Sequence, residues 1–138
     1  MTLNPNQHRS LSVELQHLER SVRDLRVRMR QSQPGILLTS SALPVEDRER
    51  LEPLLERILE EIGVLAARFE LERREEDVRR LVQAEMSGAW EGLYDSLSGK
   101  LGRFGEVDPA LAMTLDPHVQ HLIALTDQVI RVSSESAC

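Results

Sequence analysis

Cysteine is almost missing from this chain. The single residue, Cys138, has no partner within the sequence. An intramolecular disulfide is therefore excluded, and a reducing, cytoplasmic setting is the expectation. Aromatic residues make up 3%, so any core must be built from aliphatic side chains. Lysine occurs once, at Lys100, against 16 arginines, a bias that fits GC-rich coding better than a guanidinium-specific task. An excess of positive charge is also lacking. The net charge of −6 argues against bulk binding to nucleic acid or to an anionic membrane. No apolar run is long enough to cross a bilayer as a helix, and Met1 to Val13 contains no stretch of signal-peptide length. Convincing period-two alternation is absent too, which removes the main signature of strands.

What is present is helical periodicity. Leu11, Leu15, Leu18, Val22, Leu25 and Met29 recur at spacings of four and three, and so do Leu51, Leu55, Ile58, Ile62, Leu65 and Phe69. Such heptad spacing lays each set along one stripe of an α-helix, which must be covered by another helix. Asn4-Pro5-Asn6-Gln7 reads as a helix start, with a capping box between Asn4 and Gln7. Pro34-Gly35 stops the first helix near residues 31–33. The apolar triplet Ile36-Leu37-Leu38 is expected to fold over the end of the bundle, the other reading being an exposed contact patch. A second helix is expected from residues 41–45, with a possible kink at Pro53. Within the two seams, Leu18, Leu25, Leu55, Ile58, Ile62 and Leu65 are expected to be almost fully buried.

Residues 70–77 contain no glycine or proline, and their helix propensity favours continuity. The apolar phase nevertheless changes here. Nine residues separate Phe69 from Val78, a rotation of about 900° that lands on the opposite face. Leu71, Val78, Val82, Met86, Ala89 and Leu93 form the new stripe. A continuous helix would expose two opposite stripes and call for a second copy or a protein partner. Asp108-Pro109 and Asp116-Pro117 mark two further starts. They introduce a short helix to about Thr114 and a longer one to about Val132, whose buried face is Val119, Leu122, Ile123, Val129 and Ile130. Residues 133–138 read as a frayed tail. The expected fold is all-α: one domain, an antiparallel bundle of about four main helices with a coiled-coil-like hairpin and, where residues 70–77 stay helical, a long central helix.

Charge divides unevenly. Six arginines face three acids in residues 1–33, whereas twelve acids face six arginines in residues 46–77. An antiparallel pairing of the first two helices would bring complementary flanks together.

Four patterns bear on chemistry. Glu14-Leu15-Gln16-His17 resembles the Glu-x-x-His element of di-iron helical bundles, a chemistry that takes two such elements and two further carboxylates. Only one copy exists, and His17 faces away from the seam. Glu49-x-x-Glu52 and Glu72-x-x-Glu75 resemble the paired carboxylates by which all-α nucleotide pyrophosphohydrolases hold Mg²⁺, although that family carries Asp at the last position. Trp90-Glu91-Gly92 is similar to the Trp-x-Gly signature of small secreted helical-hairpin proteins, but Ser98 stands where their export signal carries an acid. His118 and His121 share a helix face without a third ligand. Catalytic triads, phosphate-binding loops and Cys-based motifs are absent. The expected role is therefore non-catalytic: a cytoplasmic interaction, adaptor or small structural subunit, needing no cofactor or metal and acting on a protein partner or on itself. Trp90, Tyr94 and Phe104 are its candidate contact residues. The rivals are a nucleic-acid-associated subunit using Arg20, Arg23, Arg26, Arg28 and Arg30, and a Mg²⁺-dependent nucleotide hydrolase using Glu49, Glu52, Glu72 and Glu75.

Overall fold

A computed structural model describes residues 2–135. The described residues form helices and connections, with no strand among them beyond one isolated bridge. The elements are α1 (Pro5–Arg30), α2 (Val45–Arg68), α3 (Val78–Tyr94), α4 (Ser98–Leu101), a 3-10 turn (Gly102–Phe104), α5 (Leu111–Thr114) and α6 (Asp116–Ser134). They divide into two compact units, one ending at Arg74 and one beginning at Glu75.

In the first unit α1 pairs antiparallel with α2. Its start is the expected capping box: Gln7 N donates to Asn4 Oδ1 at 2.8 Å, and Asn4 N donates to Gln7 Oε1 at 3.0 Å. Both orphan donors of the first turn are thereby satisfied. The connection is closed by paired bonds between Gln33 and Ser40 and by Leu43 N donating to Met29 O at 3.0 Å. Gly35 is required at this turn, since a Cβ there would sit 2.2 Å from the Leu38 carbonyl oxygen. The tip does not fold back over the helices. Ile36, Leu37 and Leu38 are 101%, 99% and 83% exposed, because the Gln33–Ser40 pairing projects the residues between them outward. α2 runs unbroken through Pro53, which leaves the Glu49 carbonyl without its usual i+4 donor.

The expected continuity through residues 70–77 is not what the chain adopts. α2 stops at Arg68, and Glu70 takes a left-handed conformation with φ of 51°. Glu70 N donates to Ala67 O and Leu71 N to Ala66 O, the two crossed bonds of a Schellman ending. A non-glycine residue there costs about 1–2 kcal/mol. Two carbonyls satisfied at the helix end, and partial cover for Leu71, offset that cost. The phase change decides the matter, because continuing the helix would carry Val78 onward on the wrong face.

In the second unit α3 pairs antiparallel with α6, and α5 packs beside α6. Asp77 caps α3 by accepting from Arg79 N at 3.1 Å. α3 ends at Tyr94, short of the glycines at 102 and 105. Ser96 Oγ donates back to the Gly92 carbonyl at 2.9 Å and Ser96 N to Leu93 O, tightening the last turn until it breaks. α6 continues to Ser134, where Ser133 and Ser134 hydroxyls both donate to Ile130 O. The frayed end expected from residue 133 is thus helical for two residues more. Cys138 lies outside the described residues.

Replacing Glu70 by glycine should remove the left-handed strain and raise stability by about 1 kcal/mol. Glu70→Val should lower it, since a β-branched residue tolerates that conformation least. Chemical denaturation of the two variants would check the order, and equal midpoints would show that the Schellman ending carries no strain.

Candidate functional site

Burial inside the two units is sparse. Among the described residues only Val22, Met29 and Val119 are buried hydrophobics, at 2%, 8% and 6% exposure. The chain exposes 11465 Å². Even two separate compact units of half its mass would together expose only about 8,800 Å². Leu18, Leu25, Leu54, Leu122 and Val129 are among the apolar side chains that contribute to that surface.

Helical geometry shows where the surplus lies. In α1, Val22 and Met29 face α2, while Leu18 and Leu25 turn to one side and stay 42% and 49% exposed. In α2, Ile58, Ile62 and Leu65 are half-buried, but Leu51 and Leu54 turn to that same side at 40% and 53% exposure. The expectation that Leu18, Leu25, Leu55, Ile58, Ile62 and Leu65 would be almost fully buried is therefore corrected: the first two are exposed and the other four half-buried. The physical cause is that a two-helix pair has an open side, which a heptad pattern cannot reveal. A groove of ≈ 410 Å³ between Leu43, Asp47, Arg50, Leu51 and Leu54 lies on this open face.

The opposite side of the same hairpin carries an ion-pair cluster. Arg30 Nε and Nη2 donate to the two Glu52 oxygens at 2.9 and 3.0 Å, and Arg26 Nε donates to Glu52 Oε2 at 3.2 Å. The hydrogen bonds from Arg30 hold the Glu52 carboxyl below its ordinary range, against the opposing effect of burial. His8 Nε2 donates to the Phe69 carbonyl oxygen at 3.2 Å and ties the other end of the pair.

The second unit repeats the pattern. Val119, Ile123 and Ile130 face α3, but Leu122, Leu125, Val129 and Val132 form a second heptad-spaced stripe at 48%, 42%, 42% and 67% exposure. Leu122 and Val129 were expected to be buried; they sit about 80–100° round the helix from the face that α3 occupies. Leu81 of α3, 38% exposed, turns toward the same side.

The three candidate contact residues come together only in part. Trp90 and Tyr94 stack, with centroids 5.4 Å apart and planes at 26°, and are 38% and 48% exposed. They lie on the side of the α3–α6 pair opposite the aliphatic stripe. Phe104 is 80% exposed, with the Arg103 guanidinium 5.5 Å from its ring centre.

The other candidates are dispersed. Glu49 and Glu52 border an open depression of ≈ 320 Å³ with Val45, Arg48 and Pro53, but Glu52 is taken by two arginines. Glu72 and Glu75 lie in the non-helical segment between α2 and α3, so the two-helix presentation that a pyrophosphohydrolase pattern implies is not formed. Among the described residues, no group of three or more His, Cys, Asp or Glu side chains is placed to hold a metal ion. Glu14, His17, His118 and His121 are all exposed. Asp116, expected to cap its own helix, instead accepts from Ser98 Oγ at 2.6 Å and Ser98 N at 2.8 Å. Those bonds lower its carboxyl below the ordinary range and fix α4 to the start of α6. Of the α1 arginines, Arg23 pairs with Glu19 while Arg26 and Arg30 hold Glu52. No helix of the described residues is long and apolar enough to cross a membrane. No protein-family model, curated protein or solved structure matches the chain.

Because Glu52 is held below its ordinary value in the folded state, its contribution to stability is present above the unfolded value, about 4.3. That contribution is lost as pH falls through the lowered folded value. Glu52→Gln should therefore reduce the melting temperature at neutral pH and flatten its decline under acid. Equal acid slopes for the two proteins would show that the Arg26–Glu52–Arg30 cluster contributes nothing.

Proposed function

We propose that this protein is a non-catalytic interaction module, an adaptor or small structural subunit acting in the cytoplasm through protein–protein contacts. One observation carries the reading: both helical pairs keep a continuous apolar face in water. Monomeric soluble proteins rarely expose large contiguous patches of this kind, and burying one aliphatic side chain is worth about 1.5–3 kcal/mol. Half-covered stripes on two separate units thus represent a large unused binding energy. The finer architecture expected from the sequence, an antiparallel four-helix bundle with coiled-coil packing, belongs to the assembled state on this reading.

The aromatic pair supplies a second kind of surface. Stacked Trp90 and Tyr94 present a rigid, amphipathic plate on the more polar side of the α3–α6 pair, and such residues are favoured interface anchors. Phe104 extends from the 3-10 turn that follows α4, where it can contribute to the same partner.

The nucleic-acid alternative has less support, since Arg23, Arg26 and Arg30 already hold carboxylates. The hydrolase alternative has less as well, for the reasons of geometry given above. Mg²⁺-dependent nucleoside triphosphate hydrolysis abolished by Glu49→Gln would replace the present reading outright.

The test is whether the isolated chain carries accessible apolar surface that association removes. A hydrophobic dye should bind the dilute protein, and the melting temperature should rise with protein concentration or on adding a partner. A compact, dye-silent monomer whose melting is independent of concentration would overturn the proposal. Trp90→Ala should leave the helical content intact and weaken partner binding by about 2 kcal/mol. A blue-shifted, quencher-protected Trp90 emission from the isolated monomer would rule out the aromatic pair as contact surface.

A further inference from the structure

We infer that the Arg73-Arg74 pair is a cleavage site for an arginine-directed endoprotease, and that the cut divides the chain into its two compact units with both helical pairs kept. This goes beyond the interaction reading and does not rest on it.

The backbone comes first. An endoprotease draws its substrate into an extended strand across its cleft, so a bond inside a helix must open locally before it is cut. Among the described residues, Arg73 and Arg74 are the only arginines that lie in neither an α-helix nor the 3-10 turn. The single lysine, Lys100, lies in α4. Residues 72–75 are exposed, and among the described residues their backbone makes no hydrogen bond. Leu71 N closes the Schellman ending just upstream, and Asp77 caps α3 just downstream. Both helix ends are thus secured outside the pair, and the strand between them is already open.

Position comes second. The first unit ends at Arg74 and the second begins at Glu75. The side-chain bonds that tie each helical pair lie wholly on one side of that point. Upstream, His8 holds the Phe69 carbonyl, and Arg26 and Arg30 hold Glu52. Downstream, Arg79 Nη1 donates to the Glu135 carbonyl at 3.5 Å, Gln83 Nε2 donates to Ser134 Oγ at 3.2 Å, and Ser98 donates to Asp116. Hydrolysis at the pair severs none of them.

Charge sets the class of enzyme. A planar guanidinium is gripped best by a carboxylate in the specificity pocket. Glu70, Glu72, Glu75, Glu76 and Asp77 flank the pair, so the fitting protease also accepts acidic residues on both sides. Water is the only co-reactant. Its oxygen bonds to the arginine carbonyl carbon as the C–N bond breaks, and the amide nitrogen takes a proton. The products are an arginine carboxylate and a new amine.

Limited digestion of the full chain with trypsin, read by intact mass, tests the site. Each bond's rate in the native chain is divided by its rate in the urea-unfolded chain, which cancels the slowing caused by acidic neighbours. Cleavage at the pair should be protected by less than about threefold, and cleavage after Arg23 and Arg57, inside α1 and α2, by about tenfold or more. Equal protection of the pair and of Arg57 would overturn the site. The double variant R73Q/R74Q should keep its helical content and resist the early cut. A double variant opened elsewhere at the original rate would overturn the pair as the preferred site. Circular dichroism of the cut protein should match that of the intact chain, and loss of helix signal on cleavage would overturn the survival of the two pairs.

Discussion

A helix buries only as much of its circumference as its neighbours can reach, and most of this structure follows from that limit. α1, α2 and α6 each carry apolar side chains over a wide arc, yet each has one principal partner helix. One edge of every stripe is consequently covered and the other left in water. Val22 is buried while Leu18 and Leu25 are not, and Val119 is buried while Leu122 is not. The polar groups respect the same division. The Arg26–Glu52–Arg30 cluster lies on one side of the first hairpin, and Leu18, Leu25, Leu51 and Leu54 lie on the other. In the second hairpin the stacked aromatic pair and the aliphatic stripe occupy opposite sides.

Local backbone chemistry sets where the helices begin and end, and it does so with side chains that also serve as connectors. Asn4 and Gln7 close the start of α1 within one turn. Asp116 reaches out of α6 to the first turn of α4, so that a single carboxylate holds two elements in place. Glu70 accepts an unfavourable dihedral so that the carbonyls of Ala66 and Ala67 find donors. In each case a backbone group that would otherwise lack a partner determines the conformation.

The starts at Asn4 and near Val45, the Pro34-Gly35 stop and the antiparallel first pair were legible in the sequence, because capping residues and heptad spacing act locally; the separation of α2 from α3 and the short α4 were not. The ending at Glu70 was not. Its residues are good helix formers, and only the phase shift between Phe69 and Val78 hinted at a break. The exposure of Leu18, Leu25, Leu122 and Val129 was not legible either. Periodicity identifies which residues share a stripe but not how much of the stripe a single neighbour covers. The second heptad row on α6, Leu122-Leu125-Val129-Val132, was visible in principle, since its spacing is as regular as that of the row it flanks. The stacking of Trp90 on Tyr94 follows from their i, i+4 relation on one helix. The separation of Phe104 from that pair depends on the break after Tyr94, which propensity alone would have placed later.

The connections also bear on time. Each hairpin closes over a short stretch of chain, fourteen residues between α1 and α2 and about twenty between α3 and α6, so its contacts are local in sequence. Topologies of this kind reach their native pairing in microseconds to milliseconds. The helices therefore meet early, long before a concentration-limited encounter with another molecule, and folding leaves the hairpins waiting with their apolar sides already formed. On the interaction reading, the rate at which this protein matures is then governed by collision and by its abundance, with the folding of its own chain a minor delay.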